Sequence, residues 1–135
     1  MAHYVLDSFA LLAFFRDETG ADAVEKLLNE AAEDKHELYI TTVNAGEVYY
    51  MASRKDGTGR ANLVWEAMLK FPLQKITSDL ELSFAAANIK ATHKLSYADA
   101  FAAALTISKK ATLITGDKEF DSLADMKGFK VNYIR

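Results

Sequence analysis

The sequence has no cysteine, one proline and six glycines, and its longest stretch free of charged side chains is nine residues. Without cysteine there can be no disulfide and no thiolate metal site, which points to a cytoplasmic protein. Nine residues fall far short of the roughly 20 that cross a bilayer as a helix, so no membrane span is expected. The first apolar run has no basic region before it and is interrupted by Asp7, which argues against a secretory leader. So little Pro and Gly also excludes a collagen-like fibre or a low-complexity linker. A basic surplus is missing too, with 16 Lys plus Arg against 19 Asp plus Glu and a net charge of −3. Proteins that hold nucleic acid by charge alone usually carry such a surplus. Any chemistry here must therefore come from where particular acids fall.

What is present is a chain of 135 residues, half of them hydrophobic, enough for a single domain over 1–135 with an unstapled core. His3 to Leu6 is a short apolar run closed by Asp7-Ser8 and reads as a buried strand. Leu38 to Thr41, Leu73 to Thr77, Ala111 to Thr115 and Lys130 to Ile134 read as further strands. Between them, Ala10 to Phe15, Ala21 to Ala32, Ala45 to Ser53, Arg60 to Phe71, Leu80 to Thr92 and Tyr97 to Ser108 have helical spacing. Gly20, Gly57, Gly59 and Pro72 punctuate the pattern, and a short helix is expected before the last strand. Strands alternating with helical crossovers predict a three-layer α/β/α sandwich with a mostly parallel sheet of about five strands. Such sheets bind ligands at the carboxyl ends of their strands.

Three acids belong to that edge, and a fourth, Asp99, joins them if its helix starts there. Asp7 follows the first strand, Glu47 lies early in the helix after the second, Asp99 opens an Ala-rich helix, and Asp117 follows the fourth strand. Each has a structural explanation. Asn44 with Glu47 and Ser96 with Asp99 have capping-box spacing, and Asp7 and Asp117 suit helix N-caps. Their joint placement says more. Two carboxylates about 4 Å apart repel by roughly 4 kcal/mol at an effective dielectric near 20. Crowding four is tolerable if some hold protons or if a cation sits among them. Oxygen donors without His or Cys suit Mg²⁺ or Mn²⁺ rather than zinc. The chemistry that follows is metal-assisted phosphodiester hydrolysis. No Walker A loop, Gly-rich dinucleotide fingerprint or Ser–His pair competes with it.

At Val5-Leu6-Asp7-Ser8, Asn44-Ala45-Gly46-Glu47-Val48, Leu95 to Ala100 and Leu113 to Phe120, the chain resembles PIN-domain nucleases, specifically the VapC-type toxins of type II toxin–antitoxin pairs. The resemblance spans essentially the whole sequence. It implies a PIN-like fold and Mg²⁺- or Mn²⁺-dependent endoribonuclease activity on structured RNA of the tRNA or rRNA class. It also implies inhibition by a cognate antitoxin and assembly as a homodimer. Carried over by position, Asp7, Glu47, Asp99 and Asp117 match the family's acidic quartet, with Asp7 and Asp99 the leading metal ligands. Ser8 and Thr115 match polar positions whose hydroxyls can orient a carboxylate. Asp121, one turn past Asp117, is a more distant candidate ligand. Tyr97 is bulkier than the small or aliphatic residue the family pattern has there.

Other residues carry weaker signals. His3 begins a strand, His36 falls in a charged loop and His93 at a helix end, and none stands at ligand spacing to another. Tyr49, Tyr50, Trp65 and Phe71 suit core packing or a dimer face more than base contact. Lys118, beside Asp117, is the basic residue best placed in sequence for a phosphate. Two alternatives to the nuclease stand: a non-catalytic RNA- or partner-binding module of the same fold, and a phospho-acceptor domain resembling a receiver. The receiver pattern needs two adjacent acids after the first strand, where this chain has Asp7-Ser8.

Overall fold

A computed structural model describes residues 1–135. Its strands are β1 (Ala2–Leu6), β2 (His36–Thr41), β3 (Gln74–Ile76), β4 (Thr112–Thr115) and β5 (Val131–Tyr133). Its helices are α1 (Ser8–Phe15), α2 (Ala21–Ala32), α3 (Thr42–Asp56), α4 (Thr58–Lys70), α5 (Leu80–Thr92) and α6 (Tyr97–Ser108), with a 3₁₀ turn over Lys118–Leu123. The five strands form one sheet in the order β3-β2-β1-β4-β5, and every pairing is parallel.

Side chains alternate across the sheet, so each central strand feeds both faces. Val5, Tyr39 and Leu113 join α5 and α6 in one apolar cluster of 16 buried residues. Leu6, Leu38, Ile40 and Ile114 join α1 to α4 in a second cluster of 15. The result is the expected three-layer sandwich with both sheet faces covered. Helix α6 lies almost wholly inside, with Ala100, Ala102, Ala103 and Ala104 buried. Small side chains let its backbone approach the sheet closely.

The topology sets the site's location. In the order β2-β1-β4, residues just past Leu6, Thr41 and Thr115 lie side by side at the carboxyl edge. A helix leading into a parallel strand runs antiparallel to it, so α6, which precedes β4, begins at that same edge. The chain therefore delivers Asp7, Glu47, Asp99 and Asp117 to one end of the molecule.

Three local expectations are corrected. Helix α3 starts at Thr42 rather than Ala45, because Thr41 is its N-cap and accepts from Asn44 N–H at 2.9 Å. Gly59 lies within α4, and the break falls at Gly57, whose φ of +88° is open to glycine. His36 is not in a loop: it opens β2 opposite Ala2, is buried, and its Nε2 meets the Leu27 carbonyl at 3.2 Å.

Candidate active site

Two of the four acids, Asp7 and Asp117, do serve as caps, and the caps leave oxygens over. Asp7 ends β1 and caps α1, its Oδ1 accepting from Ala10 N–H at 2.9 Å. Its Oδ2 accepts from the Thr115 hydroxyl at 2.5 Å. The same Thr115 oxygen accepts from Asp117 N–H at 3.0 Å, so one hydroxyl ties the end of β1 to the loop after β4. Asp117 caps the 3₁₀ turn through Glu119 N–H at 2.9 Å. Ser96 caps α6 by accepting from Asp99 N–H at 3.1 Å. The reciprocal arm of that capping box is not made, and the Asp99 carboxylate lines the cleft instead.

Glu47 arrives differently. Its Oε1 takes the Ser8 hydroxyl and its Oε2 takes the Tyr50 phenol at 3.3 Å. Asn44, expected to box with Glu47, is fully buried, and its Nδ2 donates to the Ala98 carbonyl at 3.1 Å. It stitches α3 to α6 beside Asp99 and caps nothing. Ser8 and Thr115 each bond a carboxylate, the contact their positions suggested.

Asp7, Glu47, Asp99 and Asp117 line one cleft of about 310 Å³, together with Glu119. Oxygens of Asp99, Asp117 and Glu119 lie within 4.8 Å of one another. Glu119 is the member that sequence reasoning missed. Its signal was its place two residues after Asp117, where the Asp117 cap folds the turn back toward the cleft. Asp121 is not in the cleft lining: its Oδ1 accepts the Tyr133 phenol at 2.5 Å. Burial first, then the Asp121 bond and charge, push that phenol above its usual range. Lys118 is likewise turned away, with its ammonium 3.8 Å from the centre of the Tyr133 ring. Tyr97 points outward, packed against Phe101 with ring centres 4.9 Å apart. None of the three histidines lines the cleft.

The electrostatics follow from burial. Asp7 is 1% exposed, and loss of water pushes its carboxyl up to about 7. The Thr115 and Ala10 bonds pull it back, while the charges of Asp99 and Asp117 add to the rise. Asp99 rises to about 6, through burial first and then the Asp117 charge. A cluster that holds protons near neutrality without a cation can release them to one with it. Oxygen-only donors on converging carboxylates fit a hard divalent ion such as Mg²⁺ or Mn²⁺.

Gly116, between Thr115 and Asp117, permits close packing. A Cβ there would stand 2.2 Å from Phe9 Cε1, and Phe9 is part of the cleft wall.

An all-parallel five-strand sheet with carboxylates gathered at its carboxyl edge is the pattern of a PIN domain. The PIN-domain family model matches residues 4–126, and the chain belongs to that family. Its fold is similar to VapBC2 from Rickettsia felis bound to a promoter DNA fragment, with TM-score 0.76 and 16% identity over 98% of this chain and 99% of that one. DNA-bound VapBC from Salmonella typhimurium aligns over 100% of both chains, with TM-score 0.75 and 15% identity. The sarcin-ricin loop cleaving toxin VapC20 from Mycobacterium tuberculosis has TM-score 0.71 and 16% identity, covering 93% of this chain and 95% of its own. No curated protein matches by sequence.

Proposed function

We propose that this PIN-domain protein is the ribonuclease toxin of a toxin–antitoxin pair, cutting phosphodiester bonds in structured RNA with Mg²⁺ or Mn²⁺. The observation that carries the reading is the convergence of Asp99, Asp117 and Glu119 within 4.8 Å in a cleft that also holds Asp7 and Glu47. Asp7, Asp99 and Asp117 would hold the ion, with Glu47 and Glu119 completing the set. A bound divalent ion in such a site activates water and stabilises the leaving oxygen.

The chain's own residues prepare the rest. Thr115 and Ser8 fix the rotamers of Asp7 and Glu47, so the carboxylates need no reorganisation when substrate arrives. Glu47, held at the cleft wall by Ser8 and Tyr50, would help orient the attacking water. RNA of the tRNA or rRNA class as substrate, a cognate antitoxin and a homodimer belong to the same reading, as does a cytoplasmic location. The support for them is PIN family membership, the sequence motifs and the likeness to VapBC complexes. A phospho-acceptor role is disfavoured, because Ser8 stands where a second acid is needed and its hydroxyl is bonded to Glu47.

The test is Asp99→Asn assayed on total tRNA and rRNA in Mg²⁺. Cleavage by the parent and none by the folded variant is the expected result. A variant that cuts as well as its parent refutes the assignment. A parent that binds RNA without metal-dependent turnover establishes the non-catalytic alternative.

A further inference from the structure

Resting on that reading, the structure assigns Arg16 as the residue that anchors a phosphate next to the scissile one. Arg16 closes the last turn of α1 and is the single cation lining the acidic cleft. Glu18 and five more carboxylates line the same space, yet Arg16 makes no ion pair with any of them. Its Nε is enclosed by protein and has no hydrogen-bond partner. A buried, unpaired guanidinium nitrogen beside so many acids is costly, and a turn of the side chain toward an anion in the cleft would give it a partner.

Arg16 also lines a second cleft of about 540 Å³, which shares Leu12, Arg16 and Glu18 with the first. Lys55 and Arg60 stand on its walls, and Arg60 is held in place by a bond from Nη2 to the Phe15 carbonyl at 3.3 Å. The two clefts meet at Leu12, Arg16 and Glu18, one lined by the acidic cluster and the other by Lys55 and Arg60 with Asp56. A nucleic-acid strand must bring a polyanion against carboxylates that repel it. A planar guanidinium at the junction can grip the neighbouring phosphate bidentately and offset that repulsion. The backbone of a single-stranded RNA segment then continues past Lys55 and Arg60. This makes Arg16 a binding determinant, with no part in activating water.

The experiment measures anisotropy of a fluorescein-labelled 20-nucleotide single-stranded RNA across a KCl series, alongside steady-state cleavage of total tRNA. Arg16→Gln should weaken binding about tenfold and lower the salt slope by about 0.7, the value for one phosphate contact on a single strand. KM should rise by a similar factor while kcat stays within about twofold, the pattern of lost uniform binding. The Mn²⁺-induced rise in melting temperature should match the parent's, a readout that a misshapen site would not preserve. Arg16→Lys, which keeps the charge and loses the fork, should keep the salt slope while binding several-fold more weakly. Equal affinity and slope in Arg16→Gln and parent overturns the inference alone, as does loss of the Mn²⁺ response together with RNA binding. So does intact RNA binding with loss of a protein partner only. A parent that neither responds to Mn²⁺ nor cuts RNA overturns the nuclease reading with it.

Discussion

Replacing Asp7 by Asn should make the metal-free protein more stable, and only above acidic pH. The Asp7 carboxyl is pushed by burial from an ordinary 3.8 to about 7 in the fold. Between those values the folded chain holds a proton that the unfolded chain has lost, so stability falls as pH rises across that window. Above it the full cost is present, and below 3.8 there is none. A tenfold change in proton affinity is worth about 1.4 kcal/mol, so ionising Asp7 in the fold costs about 4 kcal/mol at pH 8. Asn removes that cost while its amide oxygen can still cap Ala10 N–H. The amide nitrogen then faces Thr115, whose hydroxyl must find another acceptor at a loss of about 1 kcal/mol. The net gain is about 3 kcal/mol at pH 8 and under about 1 kcal/mol at pH 5. Urea unfolding in EDTA reads it directly. With a slope of about 1–3 kcal/mol per molar urea, the pH 8 midpoint should rise by about 1 M or more. An equal difference at both pH values, or a less stable variant at pH 8, refutes the idea that buried, mutually repelling carboxylates strain the empty site.

Three further outcomes follow from the same geometry. Mn²⁺ at about 100 times its Kd should add about 2.7 kcal/mol, seen in thermal unfolding, and Glu119→Gln should weaken the metal's apparent affinity. Thr115→Val should cost about 1–3 kcal/mol and be largely rescued by Thr115→Ser, since the lost hydroxyl serves both Asp7 and Asp117 N–H. Gly116→Ala should cost about 1–3 kcal/mol in urea unfolding, because its Cβ meets the stiff Phe9 ring rather than a flexible chain end.

Much of this architecture was legible because it is local. Val24, Leu28 and Ala31 repeat at helical spacing and, with Ala21, are the residues α2 buries. Leu38 to Thr41 is a continuous apolar and β-branched run, and all four residues are buried in β2. Ser96 announces the start of α6 and caps it. The errors occur where distant partners overrule neighbours. His36 sits among Lys35 and Glu37 and reads as loop, but pairing with Ala2 draws it into the sheet. Asn44 has the spacing of a cap, but Thr41 takes that role and frees Asn44 to reach Ala98, 54 positions away.

The amino-acid order by itself determined which acids follow strands or open helices, since that depends on hydrogen bonds and periodicity within a few residues. It could not determine how far apart their oxygens stand, how strongly they hold protons, that Glu119 joins them, or that Arg16 goes unpaired. Those properties arise only when β2, β1 and β4 lie side by side and bury residues up to 108 positions apart, such as Thr115 and Asp7, against one another. Charge and solvation act through space, and only the folded chain sets those distances.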